Sequence, residues 1–127
     1  MSQRILVIED QEDNRQILRD LLTSADFEVI EAVDGETGLV AAAAHRPDLI
    51  LMDIQLPGLD GYEATRRLKA DAALCAIPVI VVTSYALAGD DGKARAAGCD
   101  AYISKPYSPR QLLAKVREYL SPIAPTR

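Results

Sequence analysis

The sequence predicts a three-layer α/β sandwich: a five-stranded parallel sheet in the order 2-1-3-4-5, with helices on both faces. Three observations predict it. Short runs rich in Val and Ile alternate five times with helical patterns along 127 residues. Runs of this kind read as strands buried on both faces. Right-handed crossovers between successive βα units place helices on both sides of one sheet. The second run, residues 28–32, mixes polar and apolar residues and so belongs at an edge.

The first strand is residues 4–9, around Ile5-Leu6-Val7-Ile8. A helix then starts near Asp13, which is spaced with Gln16 as a capping pair. Ile17, Leu18, Leu21, Leu22 and Ala25 follow helical spacing. After the edge strand, Asp34-Gly35 turns the chain into an alanine-rich helix ending near Arg46-Pro47. Residues 48–53 form a central strand, apolar through its middle. Asp60 with Glu63 caps a third helix running through Leu68. Ile77-Pro78 opens the fourth strand, with proline where a strand tolerates it. Residues 86–97 make a helix weakened by Gly89 and Gly92, with Gly98 as its stop. The fifth strand is residues 100–104. Ser108-Pro109 caps a last helix whose buried stripe is Leu112, Leu113, Val116, Tyr119 and Leu120. No repeat, low-complexity tract or linker divides the chain.

The bulk numbers fit one domain: 127 residues, 49% hydrophobic, suffice for a single core. The net charge of −5, from 19 acids and 14 bases, argues against non-specific nucleic-acid binding, which needs a basic surface, and no nucleic-acid partner is expected. No apolar stretch nears the roughly 20 residues of a membrane helix, and Met1-Ser2-Gln3-Arg4 carries no secretory pattern. The expected location is cytoplasmic, without membrane association. Cys75 and Cys99 form no metal pattern and read as small semi-buried hydrophobes. His45, the single histidine, reads as a surface helix-end residue.

Chemistry collects where the strands end. Glu9 and Asp10 close the first run, Asp53 the third, Thr83 the fourth, and Lys105-Pro106 the fifth. In an open parallel sheet, ligands bind outside the carboxyl ends of the strands, at the switch point, here between strands 1 and 3. Three carboxylates, a hydroxyl and an ammonium gathered there suit a divalent cation and a phosphoryl group. Clustered carboxylates repel unless a cation intervenes, and Mg²⁺ takes oxygen ligands from one or two carboxylates plus a phosphate.

Ile8-Glu9-Asp10, Met52-Asp53, Leu56-Pro57-Gly58 with Asp60-Gly61, Thr83-Ser84 and Lys105-Pro106 come in this order and spacing over residues 5–120. Together they resemble the CheY-like receiver domain of two-component response regulators. The stretches 49–57 and 101–106 resemble stand-alone receivers of the DivK kind, which regulate cell division. The resemblance implies a flavodoxin-like (βα)5 fold over residues 1–121, followed by a short tail, 122–127. It implies Asp53 as phosphoacceptor, with Thr83 and Lys105 contacting phosphoryl oxygens. Asp10, Asp53 and the backbone carbonyl of Gln55 would hold Mg²⁺, or Mn²⁺ in its place, with Glu9 bound directly or through water. The family often carries aspartate where this chain has Glu9.

Thr83 and Tyr102 would form the switch pair, Ser84 an auxiliary phosphate contact, and Gln55 and Tyr85 the flanks of the site's mouth. Lys105-Pro106 is the candidate cis peptide, since X–Pro bonds adopt cis cheaply. The implied molecule is a phosphorylation-controlled switch that assists its own phosphorylation and dephosphorylation, and not an enzyme in the ordinary sense. The phosphoryl donor would be a sensor histidine kinase or a histidine phosphotransfer protein, docking near the first helix and the loop after Lys105. A downstream effector protein would bind the face around the fourth helix, fifth strand and last helix, with Arg95, Tyr102 and Tyr107 as candidates. Too little chain follows Leu120 for a DNA-binding output unit. The start at Met1 favours a stand-alone protein, with a receiver segment of a hybrid histidine kinase as the alternative.

Two other classes share parts of this pattern. A flavodoxin-type electron carrier needs a hydroxyl- and glycine-rich loop after strand 1, and the acidic run 9–13 would repel the flavin phosphate. A phosphatase of the haloacid dehalogenase type needs an acid two residues after its nucleophile, where this chain has Gln55; nor is a P-loop present.

Overall fold

The computed structural model describes residues 3–54, 56–83 and 96–120. Strands β1 (Arg4–Ile8), β2 (Glu28–Ala32), β3 (Leu49–Asp53), β4 (Val79–Thr83) and β5 (Ala101–Ser104) form one sheet in the order β2-β1-β3-β4-β5. Every pairing is parallel. The described helices are α1 (Glu12–Ser24), α2 (Gly35–His45), α3 (Gly61–Ala70) and α4 (Pro109–Tyr119).

Alternation along the strands divides the core. Ile5, Val7, Leu49, Leu51 and Ile80 face one side, where they meet Leu18 and Leu22 of α1 and Leu112 and Val116 of α4. Leu6, Ile8, Ile50, Met52, Val79 and Val81 face the other, against Ala42 of α2 and Ala64 and Leu68 of α3. Both faces of β3 are sealed, which is why that strand reads as a continuous apolar run. Small residues let α2 come close: a methyl on Gly38 would meet the side chain of Ile8.

Several expected boundaries shift by a residue. Asp48, Pro78 and Asp100 sit just before β3, β4 and β5, yet each still bonds across the sheet. The Asp48 N–H donates to the Arg4 carbonyl, the Ile50 N–H to the Pro78 carbonyl, and the Asp100 N–H to the Val79 carbonyl. The third helix runs past Leu68 to Ala70.

Two expectations for α1 are corrected. The helix begins at Glu12, and Gln11, not Asp13, is its N-cap, without a side-chain capping bond. The acidic loop sets this entry: the Gln11 N–H is taken by the Glu9 carboxylate at 3.0 Å. Ile17, which follows the same helical spacing, is 58% exposed, because the buried residues of α1 narrow to Leu18 and Leu22 and leave Ile17 lining a cavity. The weak helix over 86–97 lies mostly outside the described residues; Gly98 has φ +95°, the left-handed stop expected of it.

The Ser108 cap forms as expected. Its hydroxyl accepts from the Gln111 N–H at 3.1 Å while the Gln111 side chain accepts from the Ser108 N–H at 2.9 Å. Replacing Ser108 with Ala should cost about 1 kcal/mol of stability, read as a lower urea midpoint with unchanged slope.

Candidate functional site

The register of the central strands builds the site. Ile8 pairs with Met52, so Glu9 follows directly beside Asp53, the last residue of β3. Asp53 pairs with Val82, which brings Thr83 to the same edge, and Thr83 pairs with Ser104, which places Lys105 one residue beyond. The four strand ends that looked separate in sequence therefore open on one crevice.

Carboxylate oxygens of Glu9, Asp10 and Asp53 all lie within 4.8 Å of one another. Glu9 and Asp53 are buried, while Asp10 is more open to solvent. The Lys105 ammonium stands between the two buried acids, 3.5 Å from Glu9 Oε1 and 3.6 Å from Asp53 Oδ2. The Lys105–Pro106 peptide is cis, as its sequence permitted. On the other side, Asp60 caps α3 by accepting from the Glu63 N–H at 2.9 Å, and the Gly61 N–H donates to the Ile54 carbonyl at 3.1 Å. These bonds fix the end of β3 against the start of α3.

Burial pushes the Glu9 carboxyl above its usual range, and the Asp53 charge and a hydrogen bond to Asp53 push further; the Gln11 N–H and Lys105 only partly offset this. Between the ordinary glutamate value and this raised one, the folded protein binds more protons than the unfolded chain. Glu9 therefore lowers metal-free stability as pH rises through that window, and no further above it. Urea unfolding in a chelator across this range should show the decline, and Glu9→Gln should flatten it. An unchanged slope in that variant would count against the assignment.

A cavity of about 300 Å³ adjoins the acids, walled by Asn14, Ile17, Leu18, Pro106 and Tyr107. The sequence groups Tyr107 with Tyr102 on one candidate partner surface. Tyr107 lies instead against the α1 side of the site, where burial and then the charges of Glu9 and Asp53 hold its phenol above the usual range. Tyr102 lines a separate groove with Gln111, Ala114 and Lys115 of α4. Gln55, Ser84, Tyr85 and Arg95, and the side chain of Thr83, lie outside the described residues. Arg15, which donates to the Glu9 and Asp10 carbonyls, was missed: nothing in a local pattern marks an arginine that grips the backbone of another segment.

The donor set fits a hard divalent cation. All three groups offer carboxylate oxygens, and Glu9, buried beside Asp53, is poorly placed to carry its charge without a cation. The same edge can hold a phosphoryl group, with a carboxylate as nucleophile and an ammonium beside it.

Comparison with known proteins agrees. The family model described as the response regulator receiver domain matches residues 5–117. The polar-differentiation response regulator DivK of Brucella anthropi is 45% identical over 120 residues, covering 94% of this chain and 98% of its own. Among solved structures, the receiver domain of the sensor histidine kinase PA1611 from Pseudomonas aeruginosa, with a magnesium ion coordinated in its active-site cleft, is 34% identical. It superposes with a TM-score of 0.88, covering 94% of this chain and 98% of that one. A response regulator structure from Chloroflexus aurantiacus gives a TM-score of 0.91 at 26% identity, covering 95% and 99%.

Proposed function

This chain belongs to the response regulator receiver domain family, and from that membership we propose that Asp53 is its phosphoacceptor in a two-component phosphorelay. The observation that carries the reading is the convergence of Glu9, Asp10, Asp53 and Lys105 on one crevice. A carboxylate oxygen of Asp53 attacks the phosphorus of a donor phosphohistidine. The new P–O bond forms as the P–N bond breaks, and the imidazole leaves with a proton from solvent.

The bound cation, Mg²⁺ or Mn²⁺ in its place, would offset charge on the transferring group. Asp10 and Asp53 would hold it, with Glu9 direct or through water and the Gln55 carbonyl completing the protein ligands. Lys105, already poised between two acids, would turn to a phosphoryl oxygen as a compact charge. Thr83 and Ser84, following β4, would supply further contacts. Receivers of this family are signalling regulators and not classical enzymes; the help this chain gives its own phosphorylation and dephosphorylation is the work of these residues.

The switch would run from Thr83 to Tyr102. Thr83 moves toward the attached phosphoryl group, and Tyr102, half-exposed on β5, takes the vacated space. Tyr102 ring resonances should shift on phosphorylation; an unchanged environment would argue against this coupling. The unit is taken to span residues 1–121, since Leu120 is buried in the α1–α4 core beyond the matched segment, with 122–127 as a tail. Partners are a sensor histidine kinase or histidine phosphotransfer protein upstream and an effector protein downstream, in the cytoplasm. No described helix is long and apolar enough to cross a membrane. The kinase origin of the Pseudomonas receiver keeps a hybrid-kinase context as a second reading, with the same chemistry.

Incubation with acetyl phosphate and Mg²⁺, followed by intact mass, tests the proposal. Wild type should gain one phosphoryl group, and a sample with chelator little; equal labelling without metal would refute the metal's role. Lys105→Ala should fold and still bind Mg²⁺ but label roughly 10²-fold more slowly, as when one transition-state donor is removed.

A further inference from the structure

We infer that Arg15 is a positioning residue for the metal site, holding the backbone of the acidic loop so that the Glu9 and Asp10 carboxylates face one cation. The inference rests on the metal reading above and adds a residue to it. Arg15 Nη1 donates to the carbonyl oxygens of Glu9 at 2.9 Å and Asp10 at 3.3 Å. Its Nε donates to Glu31 of β2 at 3.2 Å, and its Nη2 to Glu12. The side chain is only 13% exposed. Arg19 completes the frame, reaching the same two glutamates at 3.1 and 3.4 Å without touching the loop.

The arrangement divides the labour between backbone and side chain. Three carboxylates within 4.8 Å repel, and a loop carrying two of them would open if nothing held it. Arg15 grips carbonyls and not those carboxylates, so it does not compete with a cation for them. Its guanidinium is itself fixed to β2, to which the Glu9 N–H also bonds through the Ala32 carbonyl at 3.0 Å. A planar fork can span both carbonyls and Glu31 together; an ammonium cannot.

The test is calorimetric titration of Mg²⁺ into unphosphorylated protein. Arg15→Gln should weaken binding on the order of 10-fold or more, the range typical for groups that orient metal ligands. Arg15→Lys, which keeps the charge but not the fork, should fall between the two. Arg19→Gln removes a charge from the same frame without removing a bond to the loop, and should stay within about twofold of wild type. Thermal unfolding in chelator checks that each variant folds; if Arg15→Gln does not, Arg15→Lys carries the reading. Wild-type affinity in the Arg15 variants, or an equal loss in Arg19→Gln, would overturn the inference while leaving the metal reading intact. Absence of Mg²⁺ binding by wild type would overturn that reading and this inference with it.

Discussion

Asp53→Asn should abolish phosphoryl uptake from acetyl phosphate while leaving the fold intact. The side chain keeps its shape, so the packing at the end of β3 has no reason to change. The amide oxygen is a poor nucleophile and carries no charge for a cation. Glu9 and Asp10 remain within reach of the same crevice, which makes the experiment demanding: a reactive group waiting for any nearby carboxylate would label them instead. The account predicts no adduct in D53N. It also predicts an electrostatic consequence in metal-free protein. The Asp53 charge helps to raise the Glu9 carboxyl, so its removal should let Glu9 ionise at lower pH, with Lys105 as its remaining close cation. Carbon-detected NMR of the Glu9 carboxyl would follow this. An adduct of wild-type yield in the variant would mean that another residue accepts the phosphoryl group.

Gly61→Ala should be the most disruptive small substitution near the site. The added methyl would land against the carbonyl oxygen of Asp53 itself, 2.9 Å from Ile54 Cα and 3.1 Å from the Asp53 carbonyl carbon. All three are backbone atoms of the acceptor's own segment, so no side chain can rotate away. Either α3 retreats, breaking the Gly61–Ile54 hydrogen bond, or Asp53 is displaced. Overpacking of this kind costs about 1–3 kcal/mol. A shift of about 1 Å in a reacting group can slow chemistry roughly 10²-fold. Gly58→Ala is the control. Nothing lies within 4 Å of its added methyl, and only its φ of +70° opposes the change. That variant should lose about 1 kcal/mol through backbone strain and label at nearly the wild-type rate. Equal stability and labelling of the two variants would show that α3 does not seat the acceptor.

The meeting of Glu9, Asp10, Asp53 and Lys105 was legible because each closes or follows a short apolar run, a local signal, while the strand order rested on the mixed, edge-like second run. A buried parallel strand must be apolar along its length, so its polar end stands out, as at Met52-Asp53. Gly98 and the Ser108 cap were equally legible, since each encodes its backbone geometry directly, whereas Pro106 only permits the cis bond that the family resemblance favours. What sequence could not supply was direction in space. Ile17 fits the helical repeat as well as Leu18 does, yet only packing decides which of them meets the core. Asp13 has the chemistry of a cap, but Glu9, a residue of the site, captures the Gln11 N–H and starts the helix earlier. Tyr107 follows Lys105-Pro106 in the chain but turns toward α1, away from the Tyr102 groove. Arg15 carries no local mark, because Glu31 and the carbonyls it grips belong to β2 and to the loop after β1.

The central claim is that one carboxylate in this crevice carries the phosphoryl group. Borohydride reduction of the acetyl-phosphate-treated protein converts an acyl phosphate to the corresponding alcohol, and peptide sequencing by mass spectrometry then locates it. The account predicts homoserine at position 53, dependent on Mg²⁺. Reduction at Glu9 or Asp10, or at no carboxylate of a protein that has gained phosphate, would contradict it.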